Sequence, residues 1–114
     1  MKKVEAVIRP EKIDAVRKAL EKSGYPGITL SEVEGHGKQK GVIQQWRGEK
    51  YRIELLPKVK IEIVVTDKDL DRIIDTVVQV SRTGSVGDGK IFVSDIREAI
   101  RIRTGEKGEV AIGS

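Results

Sequence analysis

Val4-Glu5-Ala6-Val7-Ile8 and Ile61-Glu62-Ile63-Val64-Val65 decide the fold, because the second run nearly repeats the first and the residues downstream of each repeat as well. The helical positions Ile13, Val16 and Leu20 recur at the same offset as Leu70, Ile73 and Val77. Each half reads strand, helix, strand. The first helix follows Pro10, whose fixed φ suits a helix start, carries an apolar stripe on Ile13, Val16, Ala19 and Leu20, and stops at Gly24. The second starts near Asp67 or Asp69, a residue type that caps helix N-termini, buries Leu70, Ile73, Ile74, Val77 and Val78, and stops before Gly84. Closing strands are expected at about Ile28 to Glu34 and Ile91 to Ser94.

Two such units in one short chain predict β-α-β-β-α-β, the ferredoxin-like α+β sandwich of four antiparallel strands with both helices on one face. Ala6-Val7-Ile8 and Ile63-Val64-Val65 are apolar at consecutive positions, so both faces of these strands are expected to be buried. The helices cover one face. A homo-oligomer is the simplest cover for the other, and a C-terminal segment folding over it is the alternative.

The repeat is broken between its halves by Gly35 to Pro57, giving one domain over 1–114 with a long loop at about 36–57 between the second and third strands. The segment holds Lys38, Lys40, Arg47, Lys50 and Arg52 against Glu49 and Glu54, together with Trp46 and Tyr51. Typical connections run about 4 to 6 residues, so one of this length is a functional or mobile loop more often than plain structure. Glycine or proline at both ends favours a loop. Val42-Ile43 opposite Arg52-Ile53-Glu54-Leu55 leaves a long β-hairpin as the other reading.

A second informative stretch is Thr83-Gly84-Ser85-Val86-Gly87-Asp88-Gly89-Lys90-Ile91-Phe92-Val93. Three glycines let a loop turn its backbone N–H groups into one concavity, which is how a backbone binds anions, and Lys90 adds a charge at the rim. This is not a Walker A motif, since Lys90 is followed by the β-type run Ile91-Phe92-Val93 and not by a helix. Arg101 and Arg103 are two apart, so in an extended segment both project from one face and can grip a polyphosphate. Together these point to a nucleotide site; a tight turn with two solvated arginines is the plain alternative.

The 114 residues contain no cysteine, which excludes a disulfide scaffold and a thiolate metal site and fits a cytoplasmic protein. No apolar run approaches a membrane span, and because Met1-Lys2-Lys3 leads straight into a strand pattern, no signal peptide is expected. The net charge of +4 invites a nucleic-acid reading, but Glu5, Glu32, Glu34 and Glu62 are interleaved with the cations, as on a solvated surface.

With the loop insertion, the glycine segment, the run Arg101-Ile102-Arg103-Thr104-Gly105-Glu106 and Leu56-Pro57-Lys58-Val59-Lys60-Ile61-Glu62 all in place, the chain resembles the PII nitrogen-regulatory signal-transduction proteins over essentially its whole length. The resemblance implies a non-enzymatic homotrimeric sensor with ATP or ADP in clefts between subunits. Gly87, Asp88, Gly89 and Lys90 would hold phosphates with Arg101 and Arg103, Thr29 and Val64 would lie near the adenine, and Gly37 and Gln39 would complete the nucleotide site. Gln39, Lys40, Gly41, Lys58 and Gly87 match positions that serve 2-oxoglutarate, with Gln39 helping to bind the magnesium that bridges it to ATP and Lys58 pairing its distal carboxylate. The implied partners are ammonium channels, nitrogen-metabolism enzymes or regulatory kinases, met through the loop. Arg47 matches the loop-tip arginine that can plug a channel. Tyr51 matches the tyrosine uridylylated in some members, although the flanking Trp46-Arg47-Gly48-Glu49-Lys50 departs from the usual residues, as does His36.

Two rivals fare worse. An RNA-binding module of the same fold needs stacking aromatics on its central strands, and Val4 to Ile8 and Ile61 to Val65 have none. A phosphoryl-transfer enzyme needs a base or nucleophile constellation; the only histidine is His36, and no Ser-His-Asp set or paired carboxylates can be named.

Overall fold

The computed structural model describes the backbone of residues 1–33, 42–46, 49–53 and 57–113, and the side chains of residues 1–31 and 57–113. Strands β1 (Lys2–Ile8), β2 (Thr29–Val33), β5 (Lys58–Val65) and β6 (Gly89–Asp95) form one sheet in the order β2-β5-β1-β6. Every neighbouring pair is antiparallel, with Val4 opposite both Ile63 and Val93. Helices α1 (Ile13–Lys22) and α2 (Leu70–Ser81) connect the strands of each half, which is the β-α-β-β-α-β arrangement the repeat implies.

Side chains alternate across a strand, so Val4, Ala6 and Ile8 on β1 and Val59, Ile61, Ile63 and Val65 on β5 all point to the helices, and all are buried. Val16 and Leu20 of α1 and Ile73 and Val77 of α2, each pair one helical turn apart, close the core from above. Burying a side chain of this size contributes roughly 1.5–3 kcal/mol. Ile74 and Val78, placed in the core by the sequence reading, stay half-buried.

Helix ends follow local chemistry. Beyond α1, Gly24 sits at φ 92°, its N–H donating to the Glu21 carbonyl (3.0 Å) while Tyr25 N–H reaches the Leu20 carbonyl (2.9 Å). That pair of bonds around a left-handed glycine satisfies the helix's last carbonyls. At α2 the expected acidic cap takes another form. Asp69 makes no side-chain bond to the helix amides and accepts instead from the Tyr25 hydroxyl and pairs with Arg72 at 3.3 Å; Asp67 pairs with the N-terminal ammonium at 2.9 Å.

Three expectations need correction. Residues of the insertion form strands β3 (Val42–Trp46) and β4 (Glu49–Ile53), paired from Val42↔Ile53 to Trp46↔Glu49, so the hairpin reading holds over those residues. The side chains of Trp46 and Tyr51 lie outside the described set. Second, the sheet face away from α1 and α2 is not a continuous apolar surface. Val7 and Val64 are half-buried there among the ion pairs Lys3–Glu5 (2.9 Å) and Lys60–Glu62 (3.2 Å), because alternation places these charged residues on their side. A short helix not anticipated from sequence, α3 (Glu109–Ile112), brings Ile112 to a cleft shared with Lys3, Thr29, Glu62 and Val64 of that face. Third, Ile102 to Thr104 form a turn, closed by the Gly105 N–H on the Arg101 carbonyl at 2.7 Å, so Arg101 and Arg103 do not share an extended face.

Candidate functional site

Antiparallel pairing sets Ile8, the last residue of β1, opposite both Val59 and Gly89, so the end of β1 meets the start of β5 and of β6. Arg9, Lys58 and the loop of residues 83–89 are thereby gathered at one end of the sheet. The loop turns at Gly84, Gly87 and Gly89, with φ of 89°, 100° and 104°, conformations that L side chains rarely adopt.

Asp88 holds the loop in shape. Its Oδ2 accepts the N–H of Thr83 and of Gly84, both at 2.9 Å, and its Oδ1 accepts the Thr83 hydroxyl and Arg9 Nε (3.1 Å). The Thr83 hydroxyl first, then the Thr83 and Gly84 amides and the Arg9 guanidinium, hold this carboxyl well below the usual carboxylate range. Asp88 thus faces into its own loop. Arg9 spans the gap, its Nη2 donating to the Val86 carbonyl at 3.0 Å, and Lys58 Nζ donates to the Gly87 carbonyl. Arg9 and Lys58 both stand beside Gly87, where a Cβ would lie 3.3 Å from Arg9 Nη2 and 3.6 Å from Lys58 Nζ. Arg9 was missed from sequence; only the register that sets Ile8 against Gly89 reveals it.

The residues assigned by resemblance fall in three places within one chain. Gly87, Asp88, Gly89, Lys90 and Lys58 share the loop end. Thr29 and Val64 line the cleft of about 250 Å³ with Ile112. Arg101 is folded onto the C-terminal turn, pairing with Glu106 Oε1 at 2.7 Å and donating to the Val110 carbonyl at 2.6 Å, while Arg103 is exposed. Gly37, Gln39, Lys40, Gly41 and Arg47 lie outside the described residues, as does the side chain of Tyr51. Among the described residues no group of three His, Cys, Asp or Glu side chains is placed to hold a metal, and no helix is long and apolar enough to cross a membrane.

The sequence model for nitrogen regulatory protein P-II matches residues 1–106. The chain belongs to the P-II family. It is 53% identical over 112 residues to nitrogen regulatory protein P-II 2 of Methanothermobacter thermautotrophicus, covering 98% of this chain and 97% of that protein. Nitrogen regulatory protein P-II 1 of Escherichia coli is 52% identical over 112 residues, covering 98% of this chain and all of the relative. Among solved structures, Arabidopsis thaliana PII bound to citrate matches with a TM-score of 0.79 at 40% identity, over 99% of this chain and 90% of that one. A P-II fold and a place among nitrogen regulatory proteins therefore rest on the full chain, not on the glycine loop alone.

Proposed function

We propose that this protein is a non-enzymatic, cytoplasmic sensor of nitrogen, carbon and energy status that binds ATP or ADP and 2-oxoglutarate and regulates partner proteins through the 36–57 insertion. The observation that carries the reading is the convergence of the Lys58 ammonium and the Arg9 guanidinium on the carbonyls of the Val86-Gly87 turn. Two cations beside a glycine turn, Arg9 paired with Asp88 and Lys58 bonded to a neutral carbonyl, form a place for anionic groups. The relative solved with citrate, a polycarboxylate, is in keeping with it.

In this reading Gly87, Gly89 and Lys90 meet the phosphates and Asp88 keeps their loop folded. Thr29 and Val64 face the adenine, and Arg101 and Arg103 close the site from a neighbouring copy. Their distribution over three places in one chain supports a site completed between subunits of a homotrimer. Magnesium would be held by the triphosphate, the 2-oxoglutarate and Gln39, offsetting the charge between two anions. Gly37 joins the nucleotide site, Lys40 and Gly41 join Gln39 and Lys58 around the 2-oxoglutarate, Arg47 is a partner contact for an ammonium channel or a nitrogen-metabolism enzyme, and Tyr51 is the residue to examine for uridylylation. Shared contacts make the ligands reciprocal, each raising the other's affinity by the same factor.

Calorimetry tests the reading directly. ATP is expected to bind alone, and 2-oxoglutarate only with ATP and magnesium present. Binding of 2-oxoglutarate to the nucleotide-free protein at the same affinity would refute the coupling, and tight salt-sensitive RNA binding would favour the rival module.

A further inference from the structure

Helix α2 and the edge strand β6 do not close on each other. Between them runs a cleft of about 300 Å³ whose floor is Ile8 and Val77 and whose walls include Ile74, Val78 and Ile91. This gap is why Ile74 and Val78 remain half-buried although they lie on the core side of α2. Ser81, in the last turn of α2, lines the same cleft. It is 7% exposed, and its Oγ is buried with no hydrogen-bond partner among the described residues. A buried hydroxyl left unpaired is unfavourable and calls for an occupant that can bond to it.

Charge narrows the choice. Arg82 follows Ser81 directly and also lines the cleft, and it takes part in none of the ion pairs among the described residues. Asp88 borders the cleft too, but its carboxylate is committed to Thr83, Gly84 and Arg9. Lys90 has the strand register of Val7, so its side chain leaves β6 on the face away from α2. Among the described residues, a cation without an ion pair and a hydroxyl without a partner thus adjoin in sequence at the C-terminal end of α2, both lining the cleft above the aliphatic side chains of Ile74, Val78 and Ile91. Such walls suit a hydrocarbon chain and disfavour a second carboxylate.

We propose that the cleft between α2 and β6 binds a small aliphatic monocarboxylate, its chain against Ile74, Val78 and Ile91 and its carboxylate shared by the Ser81 hydroxyl and the Arg82 guanidinium. The site is separate from the proposed nucleotide and 2-oxoglutarate positions. It borders them through the Asp88 to Lys90 segment, so an occupant touches the back of the glycine loop.

Hexanoate is the probe, titrated into protein with labelled isoleucine and valine methyl groups and followed by two-dimensional NMR. Saturable shifts are expected at Ile74, Val78 and Ile91, with a Kd on the order of 1 mM for a ligand of this size. Hexan-1-ol and the Arg82→Gln protein should each show affinity lower by about tenfold, as expected when a charge-assisted pair is lost. Ile74→Trp should fill the cleft and abolish the shifts; if that variant does not fold, the other two comparisons decide. Shifts that grow linearly without saturating, hexan-1-ol binding as tightly as hexanoate, or an unaltered affinity in Arg82→Gln overturns the proposal.

Discussion

A Cβ placed on Gly89 would stand 1.8 Å from the carbonyl oxygen of Val7. The first residue of β6 therefore meets the central strand with no room for a side chain, and its φ of 104° excludes most residues on its own account. The loop that precedes it is pinned to β1 by backbone contact as well as by the Arg9–Asp88 pair.

Gly89→Ala is expected to destabilise the protein by roughly 2–5 kcal/mol, since strain and overlap act together. Gly24 has a similar φ of 92° but nothing within 4 Å of the added Cβ. Gly24→Ala should cost only about 1–2 kcal/mol, the left-handed penalty alone. Urea unfolding of both variants gives the comparison, and equal losses would show that the contact with Val7 does not matter.

Asp88 makes stability depend on acid in a defined direction. Its folded-state pKa is depressed, chiefly by Thr83, so its contribution is complete above the unfolded carboxylate value of about 3.9 and is lost as pH falls toward the folded value. The side-chain carboxyl ¹³C signal of Asp88 should still be that of the ionised form at pH about 3. Asp88→Asn should flatten the acid limb of the stability curve. A titration midpoint in the ordinary carboxylate range would contradict the bonding described.

The two arginines near the C-terminus should behave differently. Arg103→Ala is expected to weaken ATP binding by about 10- to 100-fold, the usual value of a charged hydrogen bond, with no change in melting temperature. Arg101→Ala should weaken binding comparably and also lower the melting temperature, because Arg101 ties Glu106 to the Val110 carbonyl. Unchanged ATP affinity in both would remove them from the phosphate site.

Phe92 is 55% exposed, and its register opposite Glu5 puts it on the sheet face away from α1 and α2. If copies of the chain associate through that face, Phe92→Asp should dissociate them. Sedimentation should then show the wild type at the mass of the trimer and the variant at that of one chain; a variant that remains trimeric locates the interface elsewhere.

The sheet was legible because its two halves repeat, and a repeat of strand and helix periods leaves few topologies. The glycine loop was legible as a tight turn, and Gly84, Gly87 and Gly89 take the positive φ that such a turn requires. What escaped were the features set by register or by distant pairing. Arg9 reads as an ordinary surface residue until Ile8 is set against Gly89. A place for Asp88 in the turn can be expected from the sequence, but not that its carboxylate accepts from Thr83 and Gly84. Arg101 and Arg103 share a face only in an extended segment, and Gly105 closes a turn there instead. Val7 and Val64 make the outer sheet face read as apolar, whereas strict alternation puts Lys3, Glu5, Lys60 and Glu62 beside them.

The resting partner of Lys58 has a consequence for recognition. Its ammonium donates to the carbonyl of Gly87, a neutral dipole, so under the proposed function the carboxylate of 2-oxoglutarate would offer the stronger acceptor without asking the side chain to travel. The conformational entropy of that long side chain is already spent before a ligand binds. In the proposed function, binding would be an exchange of acceptors at a prearranged donor.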